Sequence, residues 1–100
     1  MPDPAAEEPG PEVEQLVRRL RGLSARAWST GGRRDAVRRL CADLVALGEP
    51  GHDLPDLPDH ALGDAVAVLS QEALQYQAAQ PNGRRDEVAA AVRRALEETR

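Results

Sequence analysis

Residues 62–79, LGDAVAVLSQEALQYQAA, decide the fold, because this is the longest stretch with almost no charge: it holds only Asp64 and Glu72. At about 100° per residue, one side of a helix through it is apolar. That side consists of Leu62, Ala65, Val66, Leu69, Ala73 and Tyr76. Val68 and Leu74 lie off this side, so the helix must be covered from more than one direction. The stretch therefore predicts the central helix of an all-α protein.

Three further helices are predicted, two before the central one and one after it. Apolar residues recur at three- and four-residue spacing over 12–29, 34–47 and 86–98, and glycines or prolines separate these segments. Residues 49–59, EPGHDLPDLPD, form the longest connection, with Asp59 expected as the N-cap of the central helix. We predict a small four-helix bundle of antiparallel helices, built from two helical hairpins, with this Pro-rich link between helices two and three.

The composition sets the expected boundaries and location. Residues 1–11 contain four prolines and three acids, and we expect a disordered acidic tail ahead of a single helical domain at 12–100. No apolar run reaches the ~20 residues of a membrane span, and no signal peptide is recognisable, so the expectation is a cytoplasmic protein without membrane contact. Lys, Ile and Phe are all absent. Their AT-rich codons make a GC-rich genome the simplest explanation, so the use of Arg says little by itself.

Charge alternates strongly along the chain although the net charge is only −4. Residues 15–48 carry eight Arg and two acids, whereas residues 49–80 carry six acids and no Arg. Such blocks can attract each other within one chain or between two copies. A basic face could also contact phosphate, but the chain is acidic overall and nearly lacks the aromatic residues that stack on bases.

A short sequence echo places two arginines at two helix starts. Residues 32–37, GRRDAV, recur as GRRDEV at 83–88. Turn formation and capping are the favoured interpretation, and binding of an anion or nucleic acid by Arg33, Arg34, Arg38, Arg84 and Arg85 is the alternative. Whether the echo reflects a duplication stays open.

Residues with catalytic or metal-binding chemistry form no recognisable site. The lone Cys41 falls on an apolar face and is expected to be a buried hydrophobe. His52, Asp53, Asp56, Asp59 and His60 are metal-ligand types, but their spacing matches no standard site, and a loop with a helix cap explains them better. No serine has a signature that pairs it with a base. We therefore expect no enzyme activity, no cofactor and no bound metal.

Three functions fit these observations. The leading hypothesis is a small non-enzymatic helical protein-interaction module, with a homodimer as one form, whose contacts would include Trp28, Val68 and Leu74; for Trp28 a core position is the safer interpretation. The second is a nucleic-acid-associated regulator that uses the Arg-rich face of residues 18–39. The third is a carrier of a small apolar ligand, which requires a cavity in the core.

Overall fold

The computed structural model describes residues 10–51, 53–54 and 56–100, and within them the protein is all-helical. Five helices follow one another along the chain: α1 (Pro11–Arg21), α2 (Ala25–Trp28), α3 (Arg33–Leu47), α4 (Asp59–Ala79) and α5 (Arg85–Glu98). The disorder predicted for residues 1–9 lies outside the described residues. None of the described helices is both long and apolar enough to cross a membrane.

The first predicted helix, residues 12–29, is two helices in the structure. α1 begins with Pro11, which suits the first helical position, one residue before the start of the predicted helix. α1 stops at Gly22, and Ser24 starts α2 by accepting a hydrogen bond from the backbone N–H of Ala27 at 3.1 Å. The apolar spacing runs on through this break, which is why periodicity alone missed it.

The direction of the helices follows from the contacts at their ends. Arg34, at the start of α3, pairs with Asp59 at the start of α4, and the carbonyl of Leu47 at the end of α3 accepts from Gln77 near the end of α4. α3 and α4 therefore run parallel. Arg21, at the end of α1, pairs with Asp64 early in α4, so α1 is antiparallel to α4.

The two predicted hairpins are not confirmed as a pair. α1 and α3 both pack against α4 and α5, but they make no extensive contact with each other. α4 and α5 also pack against each other, but this contact alone does not confirm the predicted hairpins. The expectation of an all-α protein is confirmed, whereas the expectation that all neighbouring helices are antiparallel is wrong for α3 and α4.

α4 is central, as its uncharged sequence predicted, since α1, α3 and α5 all pack on it. The buried side of α4 is rotated relative to the predicted side. Leu62, Val66 and Ala73 are buried as expected. Ser70 and Gln77 are buried with them, whereas Leu69 and Tyr76, which were predicted to be, are half-buried. Gly63 explains part of this rotation. A Cβ there would already touch the side chains of Leu20 and Arg21, so glycine lets α1 approach α4 closely. The apolar residues predicted for the inner face of α5 are all buried: Val88, Ala91, Val92, Ala95 and Leu96.

The buried amide of Gln77 joins three elements at one end of the molecule. Its Nε2 donates to the carbonyl of Leu47 at 2.6 Å, and its Oε1 accepts from the backbone N–H of Arg84 at 2.8 Å. These bonds connect the end of α3, the last turn of α4 and the residue that precedes α5. Gly83 lies in the same turn, where a Cβ would overlap the backbone carbonyl of Gln77.

We expect Gly83→Ala to lower the free energy of unfolding by about 3 kcal/mol, because the overlap is with backbone that cannot rotate away. Gly22→Ala is the matched control. Its Cβ would make ordinary contacts, the nearest 3.6 Å from the carbonyl oxygen of Arg19, at a φ of −89° that alanine accepts. The control should be neutral or slightly stabilising. Urea unfolding followed by circular dichroism measures both, and equal effects of the two substitutions would contradict this account.

Replacement of Ser70 should stabilise the protein, because the hydroxyl oxygen of this residue is fully buried and has no hydrogen-bond partner among the described residues. Ser70→Ala removes this uncompensated polar group and introduces a better helix former, so we expect a gain of about 1 kcal/mol in the free energy of unfolding. Ser24→Ala removes a hydroxyl that does cap a helix and should instead cost about 1 kcal/mol. A loss of stability in Ser70→Ala would show that the hydroxyl has a partner.

Candidate interaction surface

The exposed side of α4 carries the one large apolar side chain that is clearly exposed in the described part of the chain. Val68 is 54% exposed. It points away from the core. Gln71, Gln75 and Ala78 on the exposed part of α4 are uncharged, but Asp64 and Glu72, one helical turn before and after Val68, are exposed acids. A single exposed valine is ordinary, so the surface next to it has to be described as well.

A groove between α1 and α4 lies beside Val68. It encloses about 390 Å³ and is lined by Val13, Glu14, Val17, Arg18, Arg21 and Ala67. The two valines are buried and form its floor. At one end Arg21 donates twice to one carboxylate oxygen of Asp64, at 3.1 and 2.5 Å. The groove thus has an apolar floor and a charged rim.

Glu14 and Arg18 form the α1 side of this rim. Both are exposed, and neither makes a hydrogen bond or an ion pair with another described residue. Their neighbours on α1 differ in this respect, since Arg19 donates to the carbonyl of Leu96 and Glu12 accepts from Arg93. The charges that remain available on α1 are therefore those that line this groove.

Trp28 and Leu74, the other two residues of the predicted interaction set, are less accessible than Val68. Trp28 is only 4% exposed and belongs to the core, which agrees with the safer interpretation of this residue. Leu74 is half-buried and lines a second groove of about 360 Å³, whose wall includes Val88 and Val92 of α5. Of the three, Val68 alone is freely available to a partner.

The arginines of α3 donate hydrogen bonds to carboxylates and carbonyls of the same chain. Arg34 donates to both oxygens of Asp59, at 2.8 and 2.6 Å. The hydrogen bonds and positive charge of Arg34 lower the pKa of Asp59, and the same contact raises the pKa of Arg34. Arg38 donates to the carbonyl of Leu57 at 3.1 Å and reaches Asp56 at 3.4 Å. The basic block and the acidic block therefore attract within the chain.

Arg33 has a different role, which the sequence did not reveal. Its guanidinium donates to the carbonyls of Ala27, Thr30, Thr99 and Arg100, and so connects α2 to the end of α5. Carbonyls at a helix end lack helical partners and carry partial negative charge, which an arginine satisfies well. Backbone acceptors leave no trace in a sequence, so no signal pointed to these contacts.

The second copy of the echo is built differently from the first. Gly32, at φ 72°, is the N-cap of α3, whereas Arg84 occupies the N-cap of α5, so the two helices begin one residue apart in the aligned motif. Arg84 pairs with Glu87 at 3.3 Å, and Arg85 is exposed. The five arginines predicted as one anion-contact set are thus divided between α3, which holds Arg33, Arg34 and Arg38, and the start of α5, where Arg84 and Arg85 lie.

The residues considered for catalysis or metal binding are dispersed. His52 lies outside the described residues. Within the described part of the chain, no three His, Cys, Asp or Glu side chains come together in a way that could hold a metal ion. Cys41 is fully buried, as predicted, and burial raises the pKa of its thiol to about 11. A cleft of about 570 Å³ next to Trp28 includes His60, Asp59 and Asp64 in its wall and opens to solvent.

Comparison with known proteins adds no family to this description. No family model, curated protein or solved structure matches the chain.

The Arg34–Asp59 pair predicts a pH-dependent contribution to stability. Because the pKa of Asp59 is lower in the folded protein than its ordinary 3.8, the pair stabilises the fold at pH values above that figure, and this contribution is lost as the pH falls through the folded-state pKa. We expect Asp59→Asn to destabilise the protein at neutral pH and to have progressively less effect on acidification. Asp56→Asn, which alters a longer contact of a 96% exposed carboxylate, is the control and should change stability less. A pH-independent effect of Asp59→Asn in urea titrations would contradict the assignment.

Proposed function

We propose that this protein is a small non-enzymatic helical protein-interaction module that binds its partner through the exposed side of α4 and the adjoining groove with α1. In this proposal the four longer helices form a four-helix bundle, and its task is to hold this surface rigid. The single observation that carries the proposal is the exposure of Val68 beside an apolar-floored groove.

Protein is a better fit to this surface than a small polar ligand. The accessible groups are an apolar side chain, amides and charges of both signs, which is the mixture found in non-obligate protein interfaces.

The other two predicted functions receive no specific support. A nucleic-acid regulator that uses residues 18–39 would have to exchange the carboxylate and carbonyl partners of Arg33, Arg34 and Arg38 for phosphates. A carrier of an apolar ligand requires a core cavity, and the clefts described above open to solvent. Both hypotheses stay predictions.

Photo-crosslinking tests the proposed surface directly. A benzophenone amino acid is placed at position 68, and a matched control places it at exposed position 94 on α5. We expect a specific covalent adduct from position 68 only, formed with purified protein or in a cell extract of the source organism. Excess unlabelled wild-type protein should compete it away, and Val68→Glu should compete at least about tenfold less well, corresponding to about 1.4 kcal/mol of binding. No adduct at position 68, or equal adducts at both positions, would refute the proposal.

A further inference from the structure

We propose that the turn between α4 and α5 is a site of covalent self-modification, in which the backbone nitrogen of Gly83 attacks the side-chain amide of Asn82 and the product breaks the contact between Gln77 and Arg84. The co-reactant is water. This inference is independent of the proposed interaction surface, because none of these residues belongs to that surface.

The two reacting groups are neighbours in an exposed turn. Asn82 and Gly83 are both exposed. Neither the side-chain amide of Asn82 nor the backbone N–H of Gly83 makes a hydrogen bond with another described residue. Because glycine has no Cβ, its nitrogen can approach the preceding side chain more closely than the nitrogen of any other residue. The attacking nitrogen and the attacked carbonyl carbon are therefore both accessible.

The fold itself requires the glycine that makes this site reactive. A Cβ at position 83 would overlap the backbone carbonyl of Gln77, so a bulkier residue that would shield Asn82 does not fit. Asn82 is also the chain's single asparagine, and no other glycine follows an asparagine or an aspartate in the sequence. The modification is therefore confined to one position.

The reaction conserves atoms and needs no oxidant or reductant. The Gly83 nitrogen loses its proton and bonds to Cγ of Asn82, while the bond from Cγ to Nδ2 breaks and Nδ2 leaves as ammonia. The product is a cyclic succinimide, and its formation is intramolecular, so proximity favours it. Water then opens the ring. Addition at Cγ gives an aspartate, whereas addition at the backbone carbonyl carbon gives an isoaspartate, in which the main chain passes through the side-chain methylene.

Isoaspartate disturbs the contact that joins α4 to α5. The backbone N–H of Arg84 donates to Oε1 of Gln77 at 2.8 Å. One additional methylene in the main chain just before Gly83 displaces this N–H and leaves the buried amide of Gln77 without one of its partners. The aspartate product keeps the ordinary main chain. It adds only a negative charge near the positive end of α5, where such a charge is tolerated.

Prolonged incubation of the folded protein at physiological temperature and pH tests the modification. We expect a species with one additional negative charge, separated by ion exchange. Mass spectrometry should show that the amide at position 82 has become a carboxylate and that part of the product is isoaspartate. Asn82→Gln is the matched control. It retains an exposed amide, but its ring would be larger and would close much more slowly, so this variant should stay unmodified over the same period.

Urea unfolding then separates the effect of the charge from the effect of the lengthened main chain. The isoaspartate fraction should unfold at a lower urea concentration than the fresh protein. Asn82→Asp has the added charge with an ordinary main chain, and it should unfold at about the same concentration as the wild type. Circular dichroism verifies that both variants are folded before incubation.

Three results would overturn this inference. The first is a folded wild type that stays unmodified, since the turn would then protect Asn82. The second is a charge gain of the same size in Asn82→Gln, since succinimide formation at Asn82 would then not be its source. The third is an isoaspartate fraction as stable as the fresh protein, since the contact between Gln77 and Arg84 would then be intact.

Discussion

The buried side chain of Gln77 imposes the constraint on which the arrangement of the helices depends. Its amide is out of contact with water and needs both a donor and an acceptor, and it finds them in different elements, at Leu47 and Arg84. A shift of α3 against α4, or of the turn before α5, would break one of these bonds and leave a buried polar group unsatisfied. Apolar packing tolerates small displacements of a helix. The two hydrogen bonds of this amide, by contrast, form in only one relative position of the three elements.

At the opposite end of the molecule arginines fix the geometry. Arg33 and Arg19 donate to carbonyls and to the hydroxyl of Thr99 near the end of α5, where the helix leaves backbone acceptors without partners. Most of the arginines are thus engaged in contacts within the chain. This has a direct bearing on function, since a guanidinium held by backbone carbonyls is not a free anion site, and the charges left at the proposed surface are few and of both signs.

Periodicity in the sequence predicted most of the helical positions and much of the core, including α5, the centrality of α4 and the burial of Cys41. It could not predict the break before Ser24, because apolar spacing continues across it, or the burial of Ser70 and Gln77, because a polar residue inside a helix is normally exposed. The parallel course of α3 and α4 was also missed, since a pattern along one helix carries no information about its direction relative to another. At the candidate surface, Val68 was identified correctly as off the apolar face, but its accessibility depends on which sides of α4 the other helices cover.

The contacts of α1 have a consequence for how the chain reaches its folded state. Arg19 contacts residues 77 and 80 positions away, and Glu12 contacts Arg93 at a separation of 81. α4 and α5, by contrast, are neighbours in sequence and can pair as soon as both are helical. Closing the larger loops costs entropy before any packing returns it, so we expect α4 and α5 to pair early in folding and α1 to join a surface already assembled by the rest of the chain.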